Sequence, residues 1–457
     1  MDLNDTPELA EYRTKVRSWL EEHASEAPQR RGREDLESVA AHRECPGGAS
    51  SLVARTLSTA RSVPRRSNLM ATFWGTKLTR PTSDGFAALP PAVERVLTGA
   101  PGGLALGDVP ERCDRVAVVL LDAFGMRFVE RHADHPLLRK LQISPLRSQF
   151  PSTTTAHVTT MHTGAPVGAH GLYEWNVYEP ALDAVITPIL YAAAGSYEPD
   201  GLRGSGVAMA DIVPPGTIYE RLAEACVPSV VLQPSAFSPS TYDSVALRGA
   251  ELRPYDTIED GAAGLAAALE RPGYAYLYWH EIDMTGHLRG PDSAEFDAAC
   301  VRALDALEAA LSSAGPEALV LFTADHGQVA VDPARVDSLE DFLPEVHHYL
   351  AHGPAGSARD LFLHAEPGLA ADLAGELRER MAGRADVVLV AELEAAGLFG
   401  DVGPRLRARL ADVCVLPAAG RMAWLRSAAG VEQRFLGHHG GLDPAECETW
   451  LGVMVRA

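Results

Sequence analysis

Cysteine, positive charge and long apolar runs are all scarce in this sequence, and each scarcity excludes something. Six cysteines are spread over 457 residues, at positions 45, 113, 226, 300, 414 and 447. No two form a Cys-x-x-Cys pair and their spacing is not that of a framework, which argues against a zinc knuckle or a redox motif. Reduced thiols in a cytosol are the simplest reading, so a cytoplasmic location is expected. Lys and Arg number 40 against 61 Asp and Glu, a formal net charge of -21. A general nucleic-acid binder needs clustered cations to displace counterions from phosphates, so no nucleic-acid partner is expected. A small anionic substrate is still compatible, given local positive charge of the kind bound metal ions supply. No apolar run approaches the length of a membrane-spanning helix. The first twenty residues are polar and acidic, unlike a secretory signal, so no membrane partner is expected either.

The length suits two to three average domains, or one large α/β domain with additions. Residues 5–23 read as one amphipathic helix, opened by Thr6-Pro7 and carrying Leu9, Tyr12, Val16 and Leu20 at helical spacing. From about Ala24 to Asn68 the periodicity is lost and Arg, Ser, Pro and Gly crowd in, as expected of a linker. The stretch Thr6 to Leu20 resembles the N-terminal helix of acyl-CoA dehydrogenases. Two readings of residues 1–69 follow, a fused or misassigned start with Met70 opening the functional protein, or a docking helix.

Beyond Val116 short apolar runs alternate with helical stretches. Val116–Leu121, Tyr274–Trp279 and Ala318–Phe322 look like strands buried on both faces. Between the last two, Phe296, Cys300, Leu304, Leu307 and Leu311 share one helical face. Strand, helix, strand in this order predicts an α/β fold with a mainly parallel sheet covered by helices. From about Glu345 to Arg434, runs at Asp360–His364, Val387–Val390 and Val413–Leu416 read as strands, and Leu369 to Met381 as a helix. The expected organisation is a catalytic α/β core over 70–344, a smaller α+β cap-like subdomain over 345–434 that selects substrates, and a return to the core over 435–457.

Each candidate core strand ends in an acidic or His-bearing turn: Asp122 after the first, Glu281 and Asp283 after the second, Asp325-His326 after the third. Ligands of open α/β sheets collect at the carboxyl ends of strands, so three segments deliver carboxylates to one rim. Asp283 and His287, four apart, can face one point on a single turn of chain. Either motif alone is as readily a surface pair or a helix cap. Near the C-terminus, Gly437-His438-His439-Gly440-Gly441 puts imidazoles on a turn whose glycines let backbone approach a ligand. The run Ser152-Thr153-Thr154-Thr155 precedes a helical stretch ending near Thr163-Gly164. A hydroxyl at a helix N-terminus sits beside unpaired amides and the positive end of the dipole, where phosphate binds. Such a threonine needs a metal ion or a base to become a nucleophile; otherwise it is a plain N-cap.

Taken together in chain order, these pieces resemble the type I phosphodiesterase and nucleotide pyrophosphatase branch of the alkaline phosphatase superfamily, over roughly Arg115 to Glu446. The resemblance rests on Val-Val-Leu-Leu-Asp-Ala-Phe-Gly, Phe-Pro-Ser-Thr-Thr-Thr-Ala-His, His-Thr-Gly-Ala-Pro-Val-Gly-Ala-His-Gly, Asp-Met-Thr-Gly-His-Leu-Arg-Gly-Pro, Thr-Ala-Asp-His-Gly and Gly-His-His-Gly-Gly-Leu. It implies an alkaline phosphatase-like α/β/α sandwich and two divalent metal ions. Asp283, His287 and His439 would hold one, and Asp122, Asp325, His326 and the Thr154 hydroxyl the other. Oxygen and imidazole ligands without sulfur suit zinc, with manganese and iron as alternatives. Thr154 is chosen as nucleophile by its interval to Thr163-Gly164, with Thr153 as the fallback. Thr154 would attack phosphorus in line, and water would then hydrolyse the phosphothreonine with net retention at phosphorus. Family diesterases use an Asn downstream of the nucleophile on a phosphoryl oxygen; Asn176 stands one residue later than that pattern.

The expected substrate is a small phosphodiester or nucleotide-type molecule. Phe150, Tyr173 and Trp175 are candidates to stack on a nucleobase, although core packing is the more usual fate of any one such ring. Monoesterases of the superfamily commonly carry an Arg just after the nucleophile, whereas Thr155, Ala156 and His157 follow Thr154. Sulfatases require a cysteine at that place, and none is near. Phosphomonoester or phosphonate hydrolysis on the same scaffold, or a metal-binding protein without catalysis, are the alternative functions. His162, His170 and His280 are read as hydrogen-bonded structural histidines. Leaving group and oligomeric state are not encoded in any motif.

Overall fold

A computed structural model describes residues 85–457 apart from 108, 197, 313–316, 427, 429–433 and 457. The expected N-terminal helix, the linker and a start at Met70 lie outside the described residues.

Seven strands make the central sheet: β1 Arg115–Leu121, β2 Gln142–Arg147, β3 Ser229–Pro234, β4 Glu251–Tyr255, β5 Gly273–Trp279, β6 Ala318–Thr323 and β7 Glu448–Arg456. Their order is β2-β7-β6-β1-β5-β3-β4. From β6 to β4 every neighbour is parallel. Only β7, inserted between β6 and β2, runs antiparallel to its neighbours. The sheet is therefore mainly parallel, as the alternation of strand and helix predicts.

Alternate residues of each strand feed two different cores, because successive Cβ atoms point to opposite faces. Among the helices of the described residues that flank the sheet are α1 Leu89–Thr98, α2 Thr154–Thr163, α3 Ile218–Glu224, α4 Ile258–Ala268, α5 Glu281–Arg289 and α6 Ala294–Leu311. On one face Ala117, Val119, Leu277 and Phe322 meet Ile258 and Leu265 of α4 and the Phe296–Cys300–Leu304–Leu307–Leu311 stripe of α6. On the other, Val116, Val118, Tyr276 and Leu321 meet Val93 of α1, Met161 of α2 and Tyr219 of α3. The result is the α/β/α sandwich. Near-continuous Val, Leu and Tyr runs in β1 and β5 are what double-sided burial demands.

A second, four-stranded antiparallel sheet takes the order Ala355–Gly356, Leu361–Leu363, Val413–Pro417, Ala385–Leu389. One face packs on the helix Ala370–Arg380 through Leu373 and Leu377. The other, through Phe362, Cys414 and Leu416, shares a core with Phe150, Ala156 and Tyr173. The chain then returns to the central sheet in β7. Five cysteines of the described residues are free. No helix among the described residues is long and apolar enough to cross a membrane.

Candidate active site

The sheet register decides where the carboxylates converge. Leu121 stands opposite Trp279, and Leu120 opposite Thr323, so β1, β5 and β6 end almost flush. Asp122 comes directly after β1, and its amide still bonds to the Trp279 carbonyl. Asp283 lies in the first turn of α5, four residues past β5, and Asp325 lies two residues past β6. The Gly437–His438 strand pairs antiparallel with Val329–Ala330, which carries His439 back to the same rim.

Thr154 is the first residue of α2, where backbone amides lack intrahelical partners. Its Oγ1 lies 3.4 and 3.3 Å from the two carboxylate oxygens of Asp122, and 3.2 Å from Nε2 of His326. Thr153, the N-cap, is buried and makes no side-chain cap bond. Thr155 is buried, and its hydroxyl has no hydrogen-bond partner. Of the three threonines, Thr154 is the one that turns its hydroxyl to the acidic cluster.

Three imidazoles are oriented alike. Nδ1 of His287 meets the Gly437 carbonyl at 2.8 Å, Nδ1 of His326 the Gly327 carbonyl at 3.1 Å, and Nδ1 of His439 the Ser152 carbonyl at 2.9 Å. A carbonyl only accepts, so each Nδ1 carries the proton and each Nε2 is turned inward. Nε2 of His287 is 3.2 Å from Asp283 Oδ2, and Nε2 of His439 is 3.6 Å from Asp283 Oδ1. The rings of His326 and His439 stack with centroids 3.7 Å apart. Among the described residues two groups of side chains could hold a metal ion, Asp122-Asp325-His326 and Asp283-His326-His439, with His326 adjoining both. His287 joins the second through Asp283.

The electrostatics match a site meant for cations. Burial, then the neighbouring charges of Asp325 and Asp283, raise Asp122 well above the usual carboxylate range. Burial likewise raises Asp325 to about 7, against hydrogen bonds from the amides of Ala123 and His326. Its second oxygen is buried without a hydrogen-bond partner. Burial lowers His326 to about 4 and His439 well below the ordinary imidazole value, so both are neutral donors near pH 7. Burial would raise Asp283, but the adjacent His287, then His439 and His326, hold it below the normal range. A buried orphan carboxylate oxygen and inward neutral imidazoles are the donor set that divalent cations take.

The remaining predicted residues fall elsewhere. Phe150 is 3% exposed, with its ring 5.5 Å from that of Phe399; Tyr173 is fully buried, 5.1 Å from Phe362. Both rings belong to the core beneath the second sheet, a correction to their expected stacking role: nearness in sequence to a motif does not give a ring a free face. Trp175 is half-buried. Asn176 is buried; its Oδ1 accepts from Thr187 at 2.8 Å and its Nδ2 donates to the Gly356 carbonyl at 3.3 Å, leaving one amide hydrogen. His162 bonds to the Tyr219 hydroxyl, and His170 to Thr160; burial lowers both to about 3. Burial also lowers His280 to about 4.

Two site residues escaped sequence reasoning. The Tyr278 hydroxyl donates to Asp122, and Gln328 Nε2 donates to Asp283 Oδ1 at 2.5 Å. Tyr274, Tyr276 and Tyr278 alternate on the α2 face of β5, and that period of two is the signal that puts the last of them beside the rim. Gln328 had only its place after Asp325-His326-Gly327 to mark it.

Residues 116–442, well over half of the chain, match the family described as type I phosphodiesterase / nucleotide pyrophosphatase. The chain belongs to that family. Among curated proteins it is similar to ectonucleotide pyrophosphatase/phosphodiesterase family member 3 of Rattus norvegicus, 24% identical over 270 residues. The match covers 55% of this chain and 29% of that protein, so the chain spans under a third of its relative's length. Among solved structures, murine ectonucleotide pyrophosphatase/phosphodiesterase 5 aligns with a TM-score of 0.57 at 18% identity, over 74% of this chain and 88% of that one. An inactive variant of the murine protein in complex with AMP gives 0.56 at 17% identity, over 75% and 88%. At these identities the structural likeness establishes the fold.

Proposed function

We propose that this phosphodiesterase family member hydrolyses phosphodiester or pyrophosphate bonds of small, nucleotide-type substrates, with Thr154 as nucleophile. The observation that carries the reading is the contact of Thr154 Oγ1 with both Asp122 and His326 at the start of α2. Asp122, Asp325, His326 and the Thr154 hydroxyl would hold one divalent ion, and Asp283, His287 and His439 the other. Bound zinc, with manganese or iron as alternatives, would supply Lewis acidity, lowering the pKa of hydroxyl or water and neutralising developing charge.

The chain's own groups perform the rest. Unpaired amides at the start of α2 receive phosphoryl oxygens, aided by the helix dipole. The remaining amide hydrogen of Asn176 is the proposed further donor. Thr154 Oγ1 attacks phosphorus and the bond to the leaving oxygen breaks, giving a phosphothreonine. Water then attacks phosphorus from the side the leaving group vacated, and the threonine is restored. Each step inverts, so configuration is retained. The AMP complex of the murine neighbour supports a nucleotide-type substrate.

Turnover of bis(p-nitrophenyl) phosphate by the metal-supplied protein tests this reading. Wild type should release p-nitrophenol and Thr154→Ala should not; equal rates would refute the assignment of the nucleophile.

A further inference from the structure

The dipeptide Arg359-Asp360 and the acid Glu446 take no part in the chemistry above, yet they enclose the loop that carries His439. Arg359 is 3% exposed and Glu446 fully buried. Their side chains pair in a fork, Nε to Oε1 at 3.0 Å and Nη2 to Oε2 at 2.9 Å. The third nitrogen, Nη1, donates to the carbonyls of Pro417, Ala418 and Arg421 at 3.1, 2.9 and 2.7 Å, fastening the pair to the second sheet.

Glu446 reaches both halves of the site. Its Oε1 accepts from the amide of Gly441 at 3.1 Å and its Oε2 from the amide of Asp443 at 3.3 Å, two and four residues after His439. Its backbone carbonyl accepts from Gly327 at 2.8 Å, directly after Asp325-His326. On the other side of the loop, Ser357 Oγ donates to Asp360 at 2.5 Å and lies 3.4 Å from the His439 carbonyl. Gly440 has φ +120°, and a Cβ there would fall 2.6 Å from Asp360 Oδ1, so the loop touches this wall closely. A buried ion pair is costly to assemble, and one that is kept has its best-documented use in fixing a single arrangement of chain.

We propose that the Arg359–Glu446 pair is a positioning device: it holds the His439 loop and the Asp325-His326 turn at one spacing, so that the second sheet sets the geometry of both metal groups. This role goes beyond the substrate selection expected of residues 345–434. It rests on the two-ion reading for its consequence, but the immobilisation itself is a property of the metal-free chain.

The test uses the full chain with Glu446→Gln, Arg359→Lys and, as a control for stability alone, Leu307→Ala in α6. Gln keeps the shape of Glu446 but cannot accept along both oxygens, and Lys keeps the charge of Arg359 without its fork. In metal-free protein, amide exchange at Gly441 and Asp443 should quicken about tenfold or more in both pair variants. Zinc affinity measured against a competing chelator should fall about 10- to 100-fold, the range seen when a group supporting a ligand is lost. Leu307→Ala should lower Tm and leave both readouts unchanged. Wild-type exchange and zinc affinity in Glu446→Gln would overturn the proposal, as would equal loosening in Leu307→Ala. If Glu446→Gln does not fold, Arg359→Lys decides by the same two readouts. Wild-type protein that binds no zinc would defeat the two-ion reading instead, and the exchange rates would still decide the role of the pair.

Discussion

Thr154 Oγ1 lies 3.2 Å from Nε2 of His326 and 3.3 Å from Oδ2 of Asp122, so its one hydrogen faces acceptors of the acidic cluster on either side. Nδ1 of His326 gives its proton to the Gly327 carbonyl, and burial keeps the ring neutral, so Nε2 can only accept. The three threonines are therefore unequal. Thr154→Ala should lower diester turnover by a factor on the order of 10⁴ or more, as removing a nucleophile does. Thr153→Ala should keep turnover within about tenfold of wild type, since Thr153 makes no side-chain cap bond. Steady-state kinetics on one diester checks both; a greater loss in Thr153→Ala would move the nucleophile.

Tyr278 supports Asp122 from behind. Burial and then the charge of Asp122 push its phenol well above the ordinary value, so it stays a donor throughout the working range. Tyr278→Phe should cut metal affinity or kcat about 10- to 100-fold, the cost of losing a group that orients a ligand. Titration with zinc, alongside kcat and KM, measures it. Unchanged affinity and kcat would make Tyr278 a core residue only.

Metal affinity should titrate on a carboxyl. The imidazoles of His326 and His439 are already neutral near pH 7, whereas Asp325 is raised to about 7. Asp122 is raised as well, so an incoming ion must displace carboxyl protons and zinc affinity should rise with pH across this range. The sign for stability is opposite. Asp325 has a higher pKa folded than unfolded, so its contribution to the metal-free fold is lost as pH rises from about 4 to about 7. Zinc titrations from pH 5.5 to 8.5 check the first statement; affinity independent of pH would contradict it.

The core aromatics and Trp175 should separate cleanly. Phe150→Ala should cost about 3–5 kcal/mol of stability, because it empties a packed site beside Phe399 and Phe362. Trp175→Ala, at a half-buried position, should act on KM for nucleotide-type diesters with little change in Tm. Thermal melts and KM values for both variants decide. A KM effect confined to Phe150→Ala would reverse the assignment.

The sequence was readable wherever burial leaves a continuous signature. The apolar runs of β1, β5 and β6 match the observed strands to within a residue or so, and the stripe of α6 packs as its spacing predicts. The acidic rim was legible because parallel strands must end at a common edge. Residues whose importance comes from contacts across the chain were not legible. Arg359 reads as any surface arginine until Glu446, 87 residues away, is brought against it. Tyr278 looks like one more apolar strand residue until its hydroxyl finds Asp122. Phe150 and Tyr173 misled for the converse reason, since the second sheet that buries them is assembled from residues two hundred positions downstream.

The proposed chemistry depends on two divalent ions held by seven side chains, Thr154 among them. Elemental analysis of purified protein, supplied with zinc and freed of excess by gel filtration, tests this most directly. About two ions per chain are expected in wild type, and about one in His287→Ala. No retained zinc, manganese or iron in wild type would contradict the central claim.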